Sequence, residues 1–137
     1  MIEVALVPPT EVEKREPLLR PLVERMNDVV PGQWTWDYVR DEAQAESLHL
    51  WVAMQDRLLL MLVGCMPYTA PGGRLFYDVM FAAGCEVAAV FTPMMDEFDR
   101  FAAHCGATVR IPIGRPGWSK LMRARGMKIT GYCYEAG

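Results

Sequence analysis

Apolar and polar residues change their spacing along the chain, and this pattern predicts strands and helices in turn. Residues 2–7 predict a first strand. Thr10, followed three residues later by Glu13, has the pattern of a capping box, so we predict that a helix begins at Thr10. Pro17 either kinks this helix or delays its true start. A second helix is predicted over residues 35–47.

The middle of the chain predicts a sheet. Residues 49–54 and 58–66 are strand-like and are joined by a tight turn, so they predict a hairpin. The stretch 58–63 is apolar without alternation, which indicates a central strand covered on both faces. Residues 74–81 predict the next strand.

The remainder predicts a long helix and a closing unit. Residues 86–104 have helical composition, and Thr92-Pro93 has the pattern of an N-cap at which this helix can restart. Residues 108–113 then predict a strand, 115–125 a short basic helix and 127–134 a final strand.

Composition limits the protein class. The 137 residues predict one domain, 1–137, with a net charge of −3. Nucleic acid is therefore an unexpected partner, although six basic residues and no acidic one lie between Arg110 and Lys128. The longest apolar run, 58–66, is too short to span a membrane, and no secretory signal is evident. We therefore expect a cytoplasmic protein.

The four cysteines argue against a metal centre. Cys65, Cys85, Cys105 and Cys133 are widely spaced, whereas zinc sites usually contain a close pair of ligands. Their apolar or small-residue surroundings suit reduced thiols in a reducing compartment. We expect no metal.

The element order and one motif carry a family resemblance. The motif runs from Gly114-Arg-Pro-Gly-Trp118 through Leu121 to Gly126-Met127. With the order β-α-α-β-β-β-α-β-α-β, it resembles the GCN5-related N-acetyltransferase (GNAT) superfamily, and its ending looks like that of small GNAT-like proteins encoded by phages and prophages. The resemblance implies an α+β fold, with a mostly antiparallel, twisted sheet of about six strands flanked by about four helices.

The resemblance also implies a cofactor, acetyl-CoA, held where the fourth strand leads into the main helix. Backbone N–H groups and the helix dipole there are suited to a pyrophosphate. The residues implied to bind it are Phe81, Ala82, Ala83, Gly84, Cys85 and Val87, together with Arg115 and Trp118 from the closing unit.

Two positions depart from the family pattern. An active member has an Arg/Gln-x-x-Gly-x-Gly/Ala loop at the start of its main helix, whereas residues 81–90 here contain Gly84 and small alanines but no basic residue. Glu86 would repel phosphate. The tyrosine that protonates the departing thiolate in many members is matched by Met122, which has no proton to give.

Candidate catalytic groups follow from position. Asp78 and Glu86 are the nearest candidates for a general base, and Tyr132 or Tyr134 could replace the missing acid. A solvated carboxylate, or a tyrosine that packs on a strand, is the alternative for each. The six basic residues similarly suit a CoA phosphate, nucleic acid, an acidic partner or a solvated helix face. Trp34, Trp36 and Trp51 suit either an acceptor pocket or core packing.

Two functions remain open from the sequence. The first is an N-acyltransferase that moves an acetyl group from acetyl-CoA to a small amine or a protein. The second is a GNAT-fold protein without catalysis, which acts as a protein-binding or virion-assembly module and has phage structural proteins as partners. A V-shaped opening between the strands of Asp78 and Arg110, not filled by Phe81 or Phe91, would keep cofactor access.

Overall fold

The computed structural model describes residues 1–112, 116–131 and 134–136. Its centre is a five-stranded sheet in the order β1-β2-β3-β4-β5, with β1 at Glu3–Leu6, β2 at His49–Gln55, β3 at Leu58–Thr69, β4 at Leu75–Gly84 and β5 at Thr108–Arg110. The first four strands are antiparallel neighbours, and β5 is parallel to β4. The sheet is therefore mixed and mostly antiparallel, which confirms the predicted α+β class.

Helices cover both faces of this sheet. α1 spans Glu16–Val29 and α2 spans Trp36–Gln44, while α3 spans Val87–Cys105 and α4 spans Ser119–Ala124. Single 3₁₀ turns lie at Pro9–Glu11 and Pro116–Trp118. None of the helices in the described ranges is long and apolar enough to cross a membrane.

Each face of the sheet has its own apolar core. On one face, Trp51, Val63 and Tyr77 pack against Met94 and Phe98 of α3. On the other face, strand and helix side chains from β2, β3, β4, α1 and α2 pack together; these are Leu50, Leu62, Phe81, Leu19, Val23, Trp36 and Val39. β3 is buried continuously from Leu60 to Cys65, as predicted for a central strand.

Local sequence explains most element boundaries. Thr35 caps α2, because its side-chain oxygen accepts a hydrogen bond from the Tyr38 N–H at 3.3 Å. Asp56 and Arg57 have positive φ angles of 50° and 66°, the conformation of a two-residue hairpin turn between β2 and β3. The predicted hairpin and the predicted long helix after Gly84 are both present.

Other predictions need correction. The capping box at Thr10 does not form: the first turn is a 3₁₀ helix without a side-chain cap, and α1 begins at Glu16, so Pro17 marks its delayed start. α3 does not restart at Thr92, because it continues through Pro93.

The final strand is also wrong within the described residues. Residues 127–131 and Tyr134 are not in a strand, so the described sheet has five strands and not six. The strand predicted over residues 108–113 is found only at Thr108–Arg110, and Ile113 lies outside the described residues.

Candidate functional site

The two parallel strands of the sheet part after three paired residues. Phe76 pairs with Thr108, Tyr77 with Val109 and Asp78 with Arg110. β4 then continues to Gly84, whereas β5 ends at Arg110. This leaves an opening between the strands of Asp78 and Arg110, as the resemblance implied.

A β-bulge lies beside this opening. On β3, Cys65 pairs with Val79 and the preceding residue, Gly64, pairs with Phe81, so Met80 is an extra residue on β4. In the described residues, the pairing of β4 with β5 also ends before Met80. Bulges locally disrupt the ladder and are common next to active sites, because they free a backbone group and re-aim side chains. Met80 therefore offers main-chain groups at the apex of the opening.

The bulge also decides which side chains face α3. Tyr77 and Val79 face α3 before the bulge, and Ala82 faces it after the bulge. Phe81 lies on the opposite face, where its ring packs against Trp34 with the centroids 4.8 Å apart. Phe81 therefore does not fill the opening.

An apolar cleft runs from the opening along α3. Its cavity volume is about 40 Å³, and the empty space between its walls is about 390 Å³ when open solvent is included. Its walls come from β3, β4, α3 and the segment after β5, and the lining residues in the described part of the chain are all apolar: Met61, Val63, Val79, Ala82, Val87, Val90, Phe91, Met94, Met95, Phe98, Ile111 and Trp118. Phe91 forms part of one wall and leaves the cleft open. A cleft of this kind suits an apolar or amide-containing arm and does not suit a charged group.

The connection from β4 to α3 is short and tightly held. Only Cys85 and Glu86 separate the end of β4 from the start of α3. A Cβ atom on Gly84, which has φ +145°, would lie 2.1 Å from the Leu60 carbonyl oxygen, so only glycine fits there. The Cys85 N–H donates to the same oxygen at 2.8 Å. That N–H group is therefore not available to a phosphate.

Glu86 occupies the N-cap of α3 in a left-handed conformation, with φ 59° and ψ 40°. Its side chain makes no cap hydrogen bond, and the residue is exposed. The free N–H groups and the dipole of a helix N-terminus attract an anion, but a carboxylate at the same point opposes a second negative charge. This end of the cleft is weakly suited to a pyrophosphate.

Asp78 is almost fully buried and is paired with Arg110. The guanidinium Nε donates to Asp78 Oδ1, and Nη2 donates to Oδ2, each at 2.7 Å. Hydrogen bonding to Asp78 raises the pKa of Arg110 above its usual value. Both carboxylate oxygens of Asp78 therefore accept a charge-assisted hydrogen bond from the same guanidinium group. The role predicted for Asp78 as a base stays a prediction.

A buried polar network on the α3 face was not predicted. Trp51 Nε1 donates to the Tyr77 hydroxyl oxygen at 2.8 Å, and the same oxygen lies 2.7 Å from His49 Nδ1. Burial lowers the pKa of His49 and raises the pKa values of Tyr77 and of the Cys65 thiol. Tyr77 can then donate its proton to a neutral His49. In the sequence, the only sign of this network was the position of His49 at the start of a strand.

The basic residues of the closing unit have different environments. Arg125 is held by Asp96 and Asp99 of α3, with its Nη2 at 2.8 and 2.6 Å from their carboxylate oxygens. This pairing attaches α4 to α3, and Trp118 lines the cleft just before α4. Lys120, Arg123 and Lys128 are exposed. Met122 is half-buried in α4.

The structure brings together some of the predicted cofactor residues. Ala82, Val87 and Trp118 share the cleft wall, whereas the Phe81 side chain lies on the other face and Cys85 is exposed. Ala83 is buried and, by the alternation of the strand after the bulge, shares the face of Phe81. Arg115 and Tyr132 lie outside the described residues.

Two of the three tryptophans considered for an acceptor pocket pack in the cores. Trp36 and Trp51 are buried on opposite faces of the sheet. Trp34 is half-buried and, with Trp36, lines a separate polar pocket between α1 and the start of α2. Its charged members are already paired, since Arg20 contacts Glu24 at 2.6 Å. In the described ranges, no group of three or more His, Cys, Asp or Glu side chains is placed to hold a metal ion.

Comparison with known proteins finds likeness in structure and not in sequence. No family model and no curated protein matches the chain. Among solved structures, an aminoglycoside acetyltransferase from an uncultured soil metagenomic sample superposes with a TM-score of 0.76 and 13 % identity, covering 100 % of this chain and 98 % of that one. The ribosomal-protein-alanine N-acetyltransferase of Brucella melitensis biovar Abortus 2308 gives 0.70 and 12 %, covering 100 % of both chains.

A third solved structure contains acetyl-CoA. A predicted acetyltransferase with acetyl-CoA from Clostridium acetobutylicum superposes with a TM-score of 0.73 at 10 % identity, covering 100 % of this chain and 96 % of that one. At such low identity the likeness concerns the fold alone. The chain has the fold of the GNAT acetyltransferases, as its element order predicted.

Proposed function

We propose that this protein binds an acyl-CoA thioester, in the simplest case acetyl-CoA, between β4 and β5 and transfers the acyl group to an amine. The observation that carries the proposal is the parting of the two strands beside the bulge at Met80. Together with the apolar cleft behind it, this gives a place for a thioester, for the arm that carries it and for an approaching amine.

The cleft supports the binding of the pantetheine arm. Ala82 and Val87 form the wall nearest to the start of α3, and Val79 forms the wall nearest to the apex. An arm along this wall would bring its thioester to Met80. A main-chain N–H at the bulge would then stabilise the oxygen of the tetrahedral intermediate, as oxyanion-hole donors do.

The phosphate end is the weak part of the proposed site. The N-terminal N–H groups of α3 favour an anion, but the Glu86 carboxylate opposes it and the Cys85 N–H is already used. We therefore expect modest affinity for CoA, set mainly by the pantetheine arm and by any contact from Lys120 or Arg115.

The proposed chemistry relies on positioning. A neutral amine attacks the thioester carbon and forms a C–N bond, the C–S bond breaks, the attacking nitrogen loses a proton to solvent, and the released CoA thiolate takes a proton from solvent. Asp78 is held by Arg110, and Met122 has no proton to supply, so we assign neither residue a part in these proton transfers. Bringing the two reactants together in the right orientation can still lower the barrier substantially.

Calorimetric titration with acetyl-CoA tests the proposal directly. We expect saturable binding that Ala82→Phe abolishes, because a phenyl ring at this position would occupy the cleft. Circular dichroism confirms that the variant is folded. Glu86→Gln provides a second test, since removing one opposing charge should tighten binding about two- to fivefold. No binding by the wild type or by Glu86→Gln would contradict the proposal.

Transfer is then measured with amine acceptors. Release of CoA should be followed by chromatography, because the exposed thiols of Cys85 and Cys105 would react with a thiol reagent. Binding without transfer to any acceptor would favour the second candidate function, a non-catalytic binding module. The lack of a basic residue beside Glu86, and Met122 in place of a tyrosine, are the observations that favour this alternative. A role in phage virion assembly is its most specific form.

A further inference from the structure

Two arginines and two aromatic rings form a stack beside the opening between β4 and β5. The guanidinium carbons of Arg74 and Arg110 lie 4.7 and 4.0 Å from the centre of the Phe76 ring. Arg110 also lies 5.4 Å from the centre of the Tyr68 ring. The ring electrons attract both cations and restrict their positions, so the two guanidinium groups are already in place before any ligand arrives.

This arginine–aromatic stack has one more cation than its carboxylate can balance. Asp78 takes the Nε and Nη2 groups of Arg110, which leaves Nη1 outside that pair. Arg74 is exposed, and no carboxylate within the described ranges forms an ion pair with it. The stack therefore has donors and positive charge to spare. Arginine is well suited to bind planar or tetrahedral oxyanions with paired hydrogen bonds.

The stack is close to the proposed reaction centre. Phe76 and Asp78 point to the same face of β4, and that face is opposite to α3, because Tyr77 between them packs on Phe98. Asp78 and Arg110 form the last paired rung before the strands part. Met80 follows two residues later, which is about 7 Å along a strand.

We infer that the arginine–aromatic stack binds an anionic oxygen group, a carboxylate or a phosphate, on the amine that accepts the acyl group. This inference rests on the proposed function and names its acceptor class. An acceptor whose acidic group contacts Nη1 of Arg110 would hold its amine near Met80 if a few bonds separate the two groups, and Arg74, on the same Phe76 ring, adds positive charge to the stack. A polycationic amine would be repelled at the same place.

A panel of acceptors tests the inference by transfer. Amino acids are compared with the corresponding amino-acid amides, phosphoethanolamine with ethanolamine, and all of these with an aminoglycoside. We expect each acidic acceptor to exceed its neutral partner at least about tenfold in kcat/KM, the effect of one hydrogen bond to a charged group. The phosphate and carboxylate pairs show which anion is preferred. Neutral or polycationic acceptors that equal the acidic ones would overturn the inference.

Two arginine variants localise the effect. Arg74→Gln should raise KM for acidic acceptors about tenfold, with little change in kcat and no change for neutral acceptors. Arg25→Gln is the matched control, because Arg25 is also exposed but lies on α1. Equal effects of the two substitutions on acidic acceptors would contradict the assignment.

Anion binding is also measured without any transfer. The side-chain Nε–Hε resonances of Arg74 and Arg110 should shift on titration with acetate or inorganic phosphate, while that of Arg25 should not. Absence of these shifts overturns the inference even if the protein is an active acyltransferase. If the arginine resonances shift but the protein neither binds acetyl-CoA nor transfers an acyl group, the anion site is supported. The proposed function is then contradicted.

Discussion

Asp78 and Arg110 are joined by two hydrogen bonds of 2.7 Å across the last rung on which β4 and β5 pair. Beyond this rung the strands part and the bulge at Met80 begins. The Asp78 side chain is 8 % exposed and that of Arg110 is 35 % exposed, so the carboxylate is far more dependent on its partner than the guanidinium is. The ion pair therefore holds the two strands together at the apex of the opening.

Arg110→Met should destabilise the protein by about 2 kcal/mol or more, because it leaves a buried carboxylate without its partner. Chemical denaturation measures this loss. Adding Asp78→Asn should restore part of it, since the double variant no longer contains an unpaired buried charge. If Arg110→Met were as stable as the wild type, the ion pair would not hold the strands together.

Acid should weaken the fold through His49. Burial holds the pKa of His49 below its ordinary value of 6.5 in the folded state. Between that lowered pKa and about 6.5 the unfolded chain binds more protons than the folded one, so stability falls as the pH falls through this window. Glu46 opposes this shift, because its negative charge favours the protonated ring.

The measurement is the free energy of unfolding from pH 5 to pH 8. We expect His49→Asn to have a smaller dependence on pH than the wild type in the lower half of this range. His104→Asn serves as the control, because His104 is exposed near the end of α3. Equal pH dependence in the wild type and the His49 variant would contradict the assignment.

Much of the fold could be predicted from local patterns. The apolar run in β3 and the period of α3 each indicate both an element type and its burial. The predicted start at Thr10 failed because the chain there forms a 3₁₀ turn and Pro17 suits the first turn of a later helix. Likewise, Pro93 lies within α3 although a helix restart was predicted there, because helix packing outweighs a local proline signal.

The chemistry of the site was less predictable, because it depends on contacts between residues far apart in sequence. Asp78 was predicted as a base from its place on β4, but its ion pair requires the parallel pairing with Arg110, 32 residues later. The Tyr77–His49 contact spans 28 residues. Neither contact produces a periodic pattern or a characteristic residue spacing in the sequence. Ala82, Val87 and Trp118, which the resemblance implied as cofactor residues, line the same cleft, and their binding role stays a prediction.

Gly64→Ala should destabilise the protein by about 1–3 kcal/mol, the usual cost of overpacking a core. A Cβ atom at this position would lie 2.1 Å from the Phe81 ring, which crosses Gly64 on the face covered by α1 and α2. Thermal and chemical denaturation measure the loss. Gly72→Ala is the control, since a Cβ atom there would have no other atom within 4 Å, and its effect should stay within about 0.5 kcal/mol.

A second substitution tests whether the Phe81 ring causes the loss of stability in Gly64→Ala. Phe81→Leu in the Gly64→Ala background should recover part of the lost stability, although Phe81→Leu alone destabilises the wild type by removing ring contacts with Trp34. If the two effects simply added, the clash between Gly64 and Phe81 would not be the reason for the requirement for glycine.

Arg125→Gln should loosen α4 with little effect on global stability. Arg125 contacts the carboxylates of Asp96 and Asp99, which are each 54 % exposed, so the lost ion pairs should cost less than about 1 kcal/mol. α4 has no fully buried residue, and its attachment to α3 therefore depends strongly on this arginine. Amide hydrogen exchange of Ser119–Ala124 should become faster, while exchange within β3 stays unchanged.

The same substitution links α4 to the cleft. Trp118 forms part of the cleft wall immediately before α4, so a loosened α4 should weaken acetyl-CoA binding if the proposed function is correct. Arg100→Gln is the matched control, because Arg100 pairs with Glu97 within α3 itself. Faster exchange in α4 without weaker binding would mean that Trp118 does not contact the cofactor. Unchanged exchange would show that Arg125 does not hold the helix.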